Sequence, residues 1–484
     1  MFLGIDLGTS ALKALLIDDD QRVVATATAH LETSRPSDGW SEQDPADWIT
    51  ACRTALSDLS TRHPGAMGGI RAIGLSGQMH GATLVDDLDQ PLRPAILWND
   101  VRSDAEARAL DAMSFMRDVT GSIVFPGFTA PKLNWVRRHE PEIFCRVERV
   151  LLPKDFLRLW LTGESVSDMS DASGTSWLDV RHRRWSEAAL AATGLFPANM
   201  PRLVEGSDPG GALRPDVARE FGIPDSIPVA GGGGDNAASA IGTGVVSEGD
   251  ALISLGTSGV LFVACDRFRP KPESAVHTFC HALPGRWHQM GVILAAMDSM
   301  NWLARVLGTP AEGLVDSIGR GATLRPPGTL RFLPYLGGER TPHNDARIRA
   351  GFIGLSHGDD RDSLVQAVLE GIAFAFRDCQ VALGESGTRI SRCLAVGGGA
   401  RSDYLLALLS TALGLPLDRA ETGDFGGAFG AARLAMLALG DTTEESVCVR
   451  PPVARTFEPV TALTEEFDAA YADYRALYPQ LAGR

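Results

Sequence analysis

A short pattern that occurs twice, about half a chain apart, constrains the fold more than any other feature of this sequence. Residues 5–16 read IDLGTSALKALL and residues 253–264 read ISLGTSGVLFVA, in a chain of 484 residues. Each copy has an apolar run, a tight Gly-Thr-Ser turn and a second apolar run, which is typical of a β-hairpin. The repeat therefore predicts two related lobes, residues 1–245 and 246–484, joined by a hinge in the small-residue stretch 242–249.

Hydrophobic periodicity on either side of these copies predicts an α/β fold. Three short apolar runs open the chain as an antiparallel meander, and Asp44 and Pro45 are typical of the start of an amphipathic helix. The second half continues in the same style, and Thr464 is a candidate N-cap for the last helix. We expect strands at residues 2–7, 12–17, 23–29, 70–75 and 393–396, and helices that begin near residues 45, 364, 403 and 464.

The charge balance and the cysteines exclude some partners and locations. Lys and Arg total 45 against 60 Asp and Glu, a net charge of −15, and no stretch gathers the positive charge that holds a nucleic-acid backbone. The seven cysteines are scattered, as in proteins of a reducing compartment, and the longest uncharged apolar stretch, residues 251–264, is shorter than a membrane span. We expect a cytoplasmic protein that binds neither nucleic acid nor membrane.

The two Gly-Thr-Ser turns are candidates for holding a polyphosphate. Such a turn places consecutive backbone N–H groups and two hydroxyls at the tip of a hairpin, where they can donate to phosphate oxygens. One copy alone would favour an ordinary turn, but one copy in each lobe favours a polyphosphate gripped from both sides. Asp6 precedes the first turn, and Ser254 stands at the matching place before the second. A single carboxylate beside phosphate oxygens suits Mg²⁺, so Asp6 is the candidate metal ligand.

The run VAGGGGDN at residues 229–236 indicates a second functional element. Four successive glycines cost conformational entropy on folding, which favours a close approach of the backbone to a ligand over a plain turn. Asp235 follows at the predicted start of a helix, whose dipole would keep the carboxylate ionised, although a simple helix cap explains it as well. Gly232, Gly234 and Ala237 also match the loosest dinucleotide fingerprint, so an NAD-dependent oxidoreductase stays open as an alternative.

Two clusters of polar and aromatic side chains follow predicted strand ends, where α/β folds place their ligands. A flat apolar ring beside amide, carboxylate and guanidinium groups suits a polyhydroxylated small molecule, and an exposed Trp is costly without a use. A scattered polar surface is the alternative. With the end of the glycine-rich run, the candidate substrate-binding residues are Met79, His80, Trp98, Asn99, Asp100, Arg102, Asp235 and Asn236.

Seven motifs, in order along the chain, resemble those of the FGGY carbohydrate kinases, within the sugar kinase, heat-shock protein and actin superfamily. They are DLGTS at 6–10, GQMHG at 77–81, WND at 98–100, GFTAPKLNW at 127–135, GGGDNA at 232–237, LGTSG at 255–259 and GGGAR at 397–401. The resemblance covers nearly the whole chain. It implies an α/β fold of two ribonuclease-H-like lobes, with ATP in the central cleft and a ketopentose bound mainly by the first lobe.

The resemblance also implies roles for particular residues. Asp235 would be the catalytic base toward the sugar hydroxyl, with Met79 and His80 beside the sugar and Asp6 directed toward Mg²⁺. Ser363 departs from the family's second signature, and we expect this to affect a helix start rather than the chemistry. Nucleotide binding would fall to Thr9, Ser10, Lys13, Gly256, Thr257, Ser258, Gly398, Gly399, Ala400 and Ser402.

Four runs, at residues 77–81, 151–159, 167–175 and 271–277, resemble more narrowly the members of this family that phosphorylate D-xylulose with MgATP. The implied product is D-xylulose 5-phosphate. A kinase for another ketopentose or polyol, such as ribulose or glycerol, stays open, as does a non-catalytic sugar or nucleotide sensor on the same fold. The oligomeric state stays open too, a homodimer included.

Overall fold

Two mixed β-sheets organise the chain. The computed structural model describes residues 1–319, 323–421, 423 and 425–482, and in these residues each sheet has seven strands. The first sheet contains, in spatial order, Pro209–Ala212, Pro228–Ala230, Ala72–Gly77, Phe2–Leu7, Ala11–Ile17 and Val23–His30, with Gly233–Gly234 paired to Ala72–Gly77. The second contains His277–Cys280, Trp287–Ile293, Gly259–Cys265, Asp250–Leu255, Arg392–Val396, Leu417–Ala420 and Val453–Phe457.

The two sheets share one topology around their Gly-Thr-Ser turns. In the first sheet Phe2–Leu7 pairs antiparallel with Ala11–Ile17 and parallel with Ala72–Gly77. In the second, Asp250–Leu255 pairs antiparallel with the strand after its turn and parallel with Arg392–Val396. The predicted duplication and the two-domain α/β fold are therefore confirmed.

Helices, short ladders and 3₁₀ turns fill the connections, and none of the helices in the described ranges is long and apolar enough to cross a bilayer. The helices are Pro45–Arg62, Pro64–Met67, Asp104–Asp111, Met116–Thr120, Thr129–His139, Pro141–Phe144, Pro153–Thr162, Met169–Ala172, Glu187–Ala192, Pro215–Phe221, Asp235–Thr243, Met297–Leu307, Ala311–Gly319, Arg361–Glu385, Asp403–Leu413, Gly427–Ala438, Glu444–Val447 and Thr464–Leu481. The 3₁₀ turns are Ser173–Thr175, Pro197–Asn199, Pro272–Ser274, Gly398–Arg401 and Thr461–Leu463. The two-stranded ladders pair Glu42–Gln43 with Ala95–Ile96, Thr83–Val85 with Arg149–Leu151, Val166–Asp168 with Arg202–Val204, Leu178–Asp179 with Arg184–Trp185, and Arg331–Leu333 with Gly351–Ile353.

Local capping explains where the long helices begin. The Asp44 side chain accepts the Ala46 N–H at the start of Pro45–Arg62, as predicted. Asp360 and Ser363 cap the helix Arg361–Glu385 reciprocally, so Ser363 does lie at a helix start. The prediction for Thr464 is wrong, because a 3₁₀ turn leads straight into the last helix and Thr464 is its first residue, with no side-chain cap.

One helix from the second half of the chain packs on the first sheet. Helix Gly427–Ala438, here called the crossing helix, lies against the strands Phe2–Leu7 and Ala72–Gly77 and against helix Asp235–Thr243. Periodicity predicts a helix but not which sheet it covers, so the sequence did not reveal this contact. The lobe boundary between residues 245 and 246 and the hinge at 242–249 stay predictions.

Glycines allow the crossing helix to touch its neighbours backbone to backbone. A Cβ added to Gly4, Gly74 or Gly430 would lie 1.8, 1.8 and 1.7 Å from a carbonyl oxygen of the facing element. No side chain fits at such distances, and the apolar residues around the contact form a buried cluster with both partners. The crossing helix is therefore part of the core of the first lobe.

Replacing Gly430 with alanine tests this packing. Alanine is the better helix former by about 1 kcal/mol, yet overpacking costs about 1–3 kcal/mol, so Gly430→Ala should lower the midpoint of thermal unfolding. The matched control is Gly384 in the last turn of Arg361–Glu385, where an added Cβ would have nothing within 4 Å. Gly384→Ala should leave the midpoint unchanged or raise it, and similar shifts in both variants would contradict the close contact.

Candidate active site

Two carboxylates, Asp6 and Asp235, define the centre of the candidate site. Asp6 lies near the end of strand Phe2–Leu7, and Asp235 is the first residue of helix Asp235–Thr243. Burial raises the pKa of Asp235 to about 6, and the negative charge of Asp6 contributes to the rise. A Cβ on Gly427 would lie 2.9 Å from the Asp6 carboxyl carbon, so the crossing helix begins against this carboxylate. Like charges held close together are stabilised by a divalent cation, so the pair fits a Mg²⁺ site completed by phosphate oxygens and water.

Asn236 orients the Asp235 carboxylate. Its backbone N–H and its side-chain Nδ2 both donate to Asp235 Oδ1, at 2.7 and 2.9 Å. Hydrogen bonds to the charged form favour ionisation and oppose the effect of burial. The structure therefore brings Asn236 to the predicted site, where it acts on the carboxylate.

The glycine loop, residues 231–234, leads directly into Asp235. A Cβ on Gly231 or Gly232 would lie 2.1 or 2.2 Å from the carbonyl oxygen of Glu205 or Leu75. Gly231 and Gly232 thus approach the protein's own backbone closely, and the predicted approach of the run to a ligand stays a prediction.

Charged and polar side chains form hydrogen bonds to the backbone of the glycine loop. The Arg158 guanidinium donates to the carbonyl oxygens of Ala230 and Gly231, at 2.7 and 2.6 Å. The Ser170 hydroxyl accepts the N–H of Gly234 at 3.1 Å and donates to Asp168 at 2.5 Å. These bonds fix the loop, and with it the position of Asp235.

A fully buried charge cluster, defined as Lys154, Asp155, Arg158, Asp168 and Asp171, surrounds this support. The Lys154 ammonium lies 2.5 Å from Asp155, 2.8 Å from Asp168 and 3.3 Å from Asp171. Burial raises the pKa of Asp171 well above its usual range, while the neighbouring Lys154 opposes the rise. Two cations thus face three carboxyl groups, and burial favours the protonated form of Asp171. The sequence analysis did not predict the cluster, although charged residues within the apolar run LLPKDFLRLW could have indicated buried charges.

Asp171 and Asp168 give a testable contrast, because burial favours the protonated form of Asp171. Asp171→Asn should change the free energy of unfolding by less than about 1 kcal/mol, because an amide resembles the protonated acid in shape and charge. Asp168→Asn should cost about 3–5 kcal/mol, because it removes a negative charge 2.8 Å from the buried Lys154, next to a second buried cation, Arg158. Chemical denaturation at pH 7 measures both variants, and equal losses would mean that Asp171 is ionised in the folded protein.

Met79 lies next to the glycine loop, and His80 follows Met79 in the chain, while their role beside a sugar stays a prediction. Met79 packs on the glycine loop, since a Cβ on Gly234 would lie 2.8 Å from its Cγ. His80 Nδ1 lies 2.7 Å from the carbonyl oxygen of Gly174 and must donate to it, so Nε2 is left as an acceptor. Burial lowers the pKa of His80 to about 3, which keeps the ring neutral, and the ring stacks on Phe128 at 4.5 Å.

Some of the predicted residues after the strand Ala95–Ile96 lie at the surface and others lie in the core. They are Trp98, Asn99, Asp100 and Arg102. The Trp98 ring is 48% exposed and its indole N–H donates to the Thr9 hydroxyl at 3.0 Å, and Asn99 is exposed next to it. The side chains of Asp100 and Arg102 are buried and paired with each other, and their role in substrate binding stays a prediction.

Arg102 and Asp100 support the wall of the site from inside. Arg102 pairs with Asp100 at 2.6 Å and with Glu42 at 2.7 Å, and its guanidinium lies 3.6 Å from the centre of the Trp40 ring. Asp100 also accepts the Ser41 N–H. Their partners come from some 60 residues earlier in the chain, so local sequence could not reveal that these charges are already satisfied.

The first turn, residues 8–10, is braced from three sides. The Thr9 hydroxyl donates to Gln78 Oε1 at 3.0 Å, and the Thr9 carbonyl accepts Gln43 Nε2 at 2.7 Å. Ser10 is exposed at the tip, and Lys13 lies directly across the ladder from Asp6. The turn is held by its hydroxyl and carbonyl groups.

The second turn, residues 256–258, is joined to the start of helix Met297–Leu307. The carbonyl of Thr257 accepts the N–H groups of Ala296 and Asp298, and that of Gly256 accepts the N–H of Met297. Thr257 and Ser258 are exposed at the tip. Each lobe thus presents one turn whose carbonyl groups already accept hydrogen bonds from other parts of the protein.

A cavity of about 610 Å³ opens beside the second turn. Gly398 is open to it, because an added Cβ would have no atom within 4 Å, whereas Ala400 is buried and the Ser402 hydroxyl caps helix Asp403–Leu413. The size suits a nucleotide. The sequence did not predict one part of the cavity wall. Helices contribute this part, and only tertiary packing brings them to the cavity. The lining includes Gly256, Thr257, Gly398, Gly399 and Ser402 of the predicted residues and also Met297, Asn301, Glu312, Val315 and Tyr404.

The chain belongs to the FGGY family of carbohydrate kinases. Its residues 1–242 match the N-terminal domain of this family and residues 251–439 match the C-terminal domain.

Individual relatives are similar over nearly the full length. The xylulose kinase of Escherichia coli (strain K12) is 45% identical over 484 residues, which cover 99% of each chain. The crystal structure of a xyloylose kinase from Brucella ovis is 57% identical, with a TM-score of 0.98 and 99% of each chain covered. That of xylulose kinase from Rhodospirillum rubrum is 30% identical, with a TM-score of 0.92 over 99% of this chain and 98% of that one.

Proposed function

We propose that this chain transfers the γ-phosphoryl group of ATP to D-xylulose, giving D-xylulose 5-phosphate and ADP. The observation that carries the proposal is the 45% identity, over nearly the full length of both chains, to the xylulose kinase of Escherichia coli. The pairing of Asp6 with Asp235 beside Met79 and His80 supports it, because it joins an acidic centre to a pocket of mixed polarity.

In this proposal Asp235 is the catalytic base. The terminal hydroxyl oxygen of the sugar forms a bond to the γ-phosphorus, the bond from that phosphorus to the leaving ADP oxygen breaks, and the hydroxyl proton passes to Asp235. Phosphoryl transfer through a loose transition state asks for little base strength, so a carboxylate with a pKa of about 6 suffices at neutral pH. Asn236 and the glycine loop keep the carboxylate in place while the sugar binds.

The nucleotide is assigned to the cavity beside the second turn, with its phosphates directed toward both turns. Thr9, Ser10, Thr257 and Ser258 would then contact phosphate oxygens. Mg²⁺, held by Asp6 with Asp235 nearby, would offset the phosphate charge in the transition state. Closure of the cleft would exclude water and limit hydrolysis of ATP.

The alternatives are less well supported. An oxidoreductase would need the glycine loop to receive a pyrophosphate, whereas this loop packs on protein backbone and ends in a carboxylate. A sensor without activity would have no need for a base with a pKa raised into the working range. We further place the protein in the cytoplasm, and a homodimer stays a hypothesis.

Substrate choice is the direct test of the proposal. With MgATP, D-xylulose should give a higher kcat/KM than D-ribulose, L-ribulose or glycerol in an assay of ADP release. Preference for another of these compounds would refute the sugar assignment but keep the kinase class. Saturable sugar binding without ADP release from any of them would favour the sensor.

The role of Asp235 is tested by charge removal and by pH. Asp235→Asn should reduce kcat by about 10²–10⁴-fold while ATP binding is nearly unchanged, because the variant keeps the shape but cannot accept the proton. In the unmodified protein kcat/KM should fall as the pH drops through about 6, where Asp235 becomes protonated.

The exposed acid Asp225, in the loop before the strand Pro228–Ala230, provides the matched control. Asp225→Asn should leave kcat and the pH profile as they are. Near-normal turnover of Asp235→Asn would mean that this carboxylate serves only as the start of its helix.

A further inference from the structure

Arg340 belongs to the second lobe and is held by a rigid segment. The Glu339 side chain accepts the N–H groups of Leu294 and Arg340, at 3.0 and 2.7 Å. The Thr341 hydroxyl accepts the N–H of Val292 and donates to the carbonyl of Ala275, both at 3.0 Å. These bonds attach the residues on both sides of Arg340 to the strand Trp287–Ile293 and its continuation, so its backbone is fixed in advance of any ligand.

The Arg340 guanidinium is half-buried without a compensating anion. Among the described residues no ion pair or hydrogen bond involves its side chain, and its contact is the Phe125 ring, 4.6 Å from Cζ to the ring centre. Glu339 is next to it in sequence, but its side chain is engaged by the two backbone N–H groups, and burial raises its pKa to about 8. A desolvated, unpaired cation is costly for the folded protein, which favours a role in binding.

The surroundings of Arg340 connect it through two aromatic rings to His80, a proposed sugar-binding residue. Phe125 contacts Phe128 at 5.5 Å, and Phe128 carries the stacked ring of His80. Burial is the main cause that lowers the pKa values of His80 and His277, and the charge of Arg340 lowers both further. The rings of Phe125 and Phe128 thus connect Arg340 to His80, and the charge of Arg340 acts on the His80 ring.

We propose that Arg340 binds the carbonyl oxygen at the non-reacting end of the ketose and thereby selects a ketose over the corresponding polyol. The inference rests on the proposed function. Because Met79, His80 and Asp235 belong to the first lobe and Arg340 to the second, the sugar bridges the two lobes when it binds.

The chemistry of the donors explains the selection. A guanidinium can only donate hydrogen bonds, and a carbonyl oxygen can only accept them, so the two are complementary without any reorientation. A polyol hydroxyl at the same position brings a proton that Arg340 cannot accept. The neutral ring of His80, with Nε2 as an acceptor, suits the sugar hydroxyls further along the chain.

The test compares D-xylulose with xylitol, which is D-xylulose reduced at the carbonyl. Arg340→Met should lower kcat/KM for D-xylulose by about 10- to 100-fold, the loss of one hydrogen bond from a charged donor, and should leave the inhibition constant of xylitol nearly unchanged. Arg340→Lys keeps the charge and should recover part of the activity. Arg347, exposed on the same segment, is the matched control, and Arg347→Met should behave like the unmodified protein.

Thermal unfolding separates binding from a structural role. Since Arg340 has no anionic partner, Arg340→Met should keep or raise the unfolding midpoint while activity falls. A lower midpoint, or equal losses for D-xylulose and xylitol, would overturn the proposal, as would an unchanged kcat/KM for D-xylulose. If the unmodified protein prefers another ketose, the proposed substrate is wrong and the same comparison with that ketose and its polyol decides the role of Arg340.

Discussion

The backbone contact between the crossing helix and the first sheet is the constraint on which the candidate site depends. Gly4, Gly74 and Gly430 let the backbones touch, so the crossing helix begins against the Asp6 carboxylate and lies alongside the helix that Asp235 starts. A single methyl group at any of these positions would separate elements that carry the two acidic groups. The burial that raises the pKa of Asp235, and the repulsion from Asp6 that adds to it, are therefore consequences of close packing.

The buried charge cluster stabilises the conformation of the glycine loop. A run of glycines has no side chains that could pack, so hydrogen bonds to its backbone are needed to help fix it. Arg158 and Ser170 supply these bonds, and Lys154 and Asp168 keep them in place. The protein thus buries charges at a cost in desolvation in order to hold a flexible sequence rigid.

The features predicted from sequence are those that depend on near neighbours. The two hairpins, the helix start at Asp44 and the position of Asp235 before a helix all follow from local patterns, and the structure confirms them. The burial of Arg102 depends on Glu42 and Trp40, and the crossing helix depends on glycines more than 300 residues earlier in the chain. Such pairings leave no periodic trace in a single sequence, and the same holds for Arg340 beside Phe125.

The crossing helix also bears on how the chain is made. During translation the strands of the first sheet leave the ribosome long before residue 427 is synthesised. One face of that sheet, with its Gly and Ala residues, therefore stays exposed until most of the polypeptide has been made. A fragment that ends at residue 245 would stay in that unfinished state. The two lobes, although they descend from one repeated pattern, are thus completed together rather than one after the other.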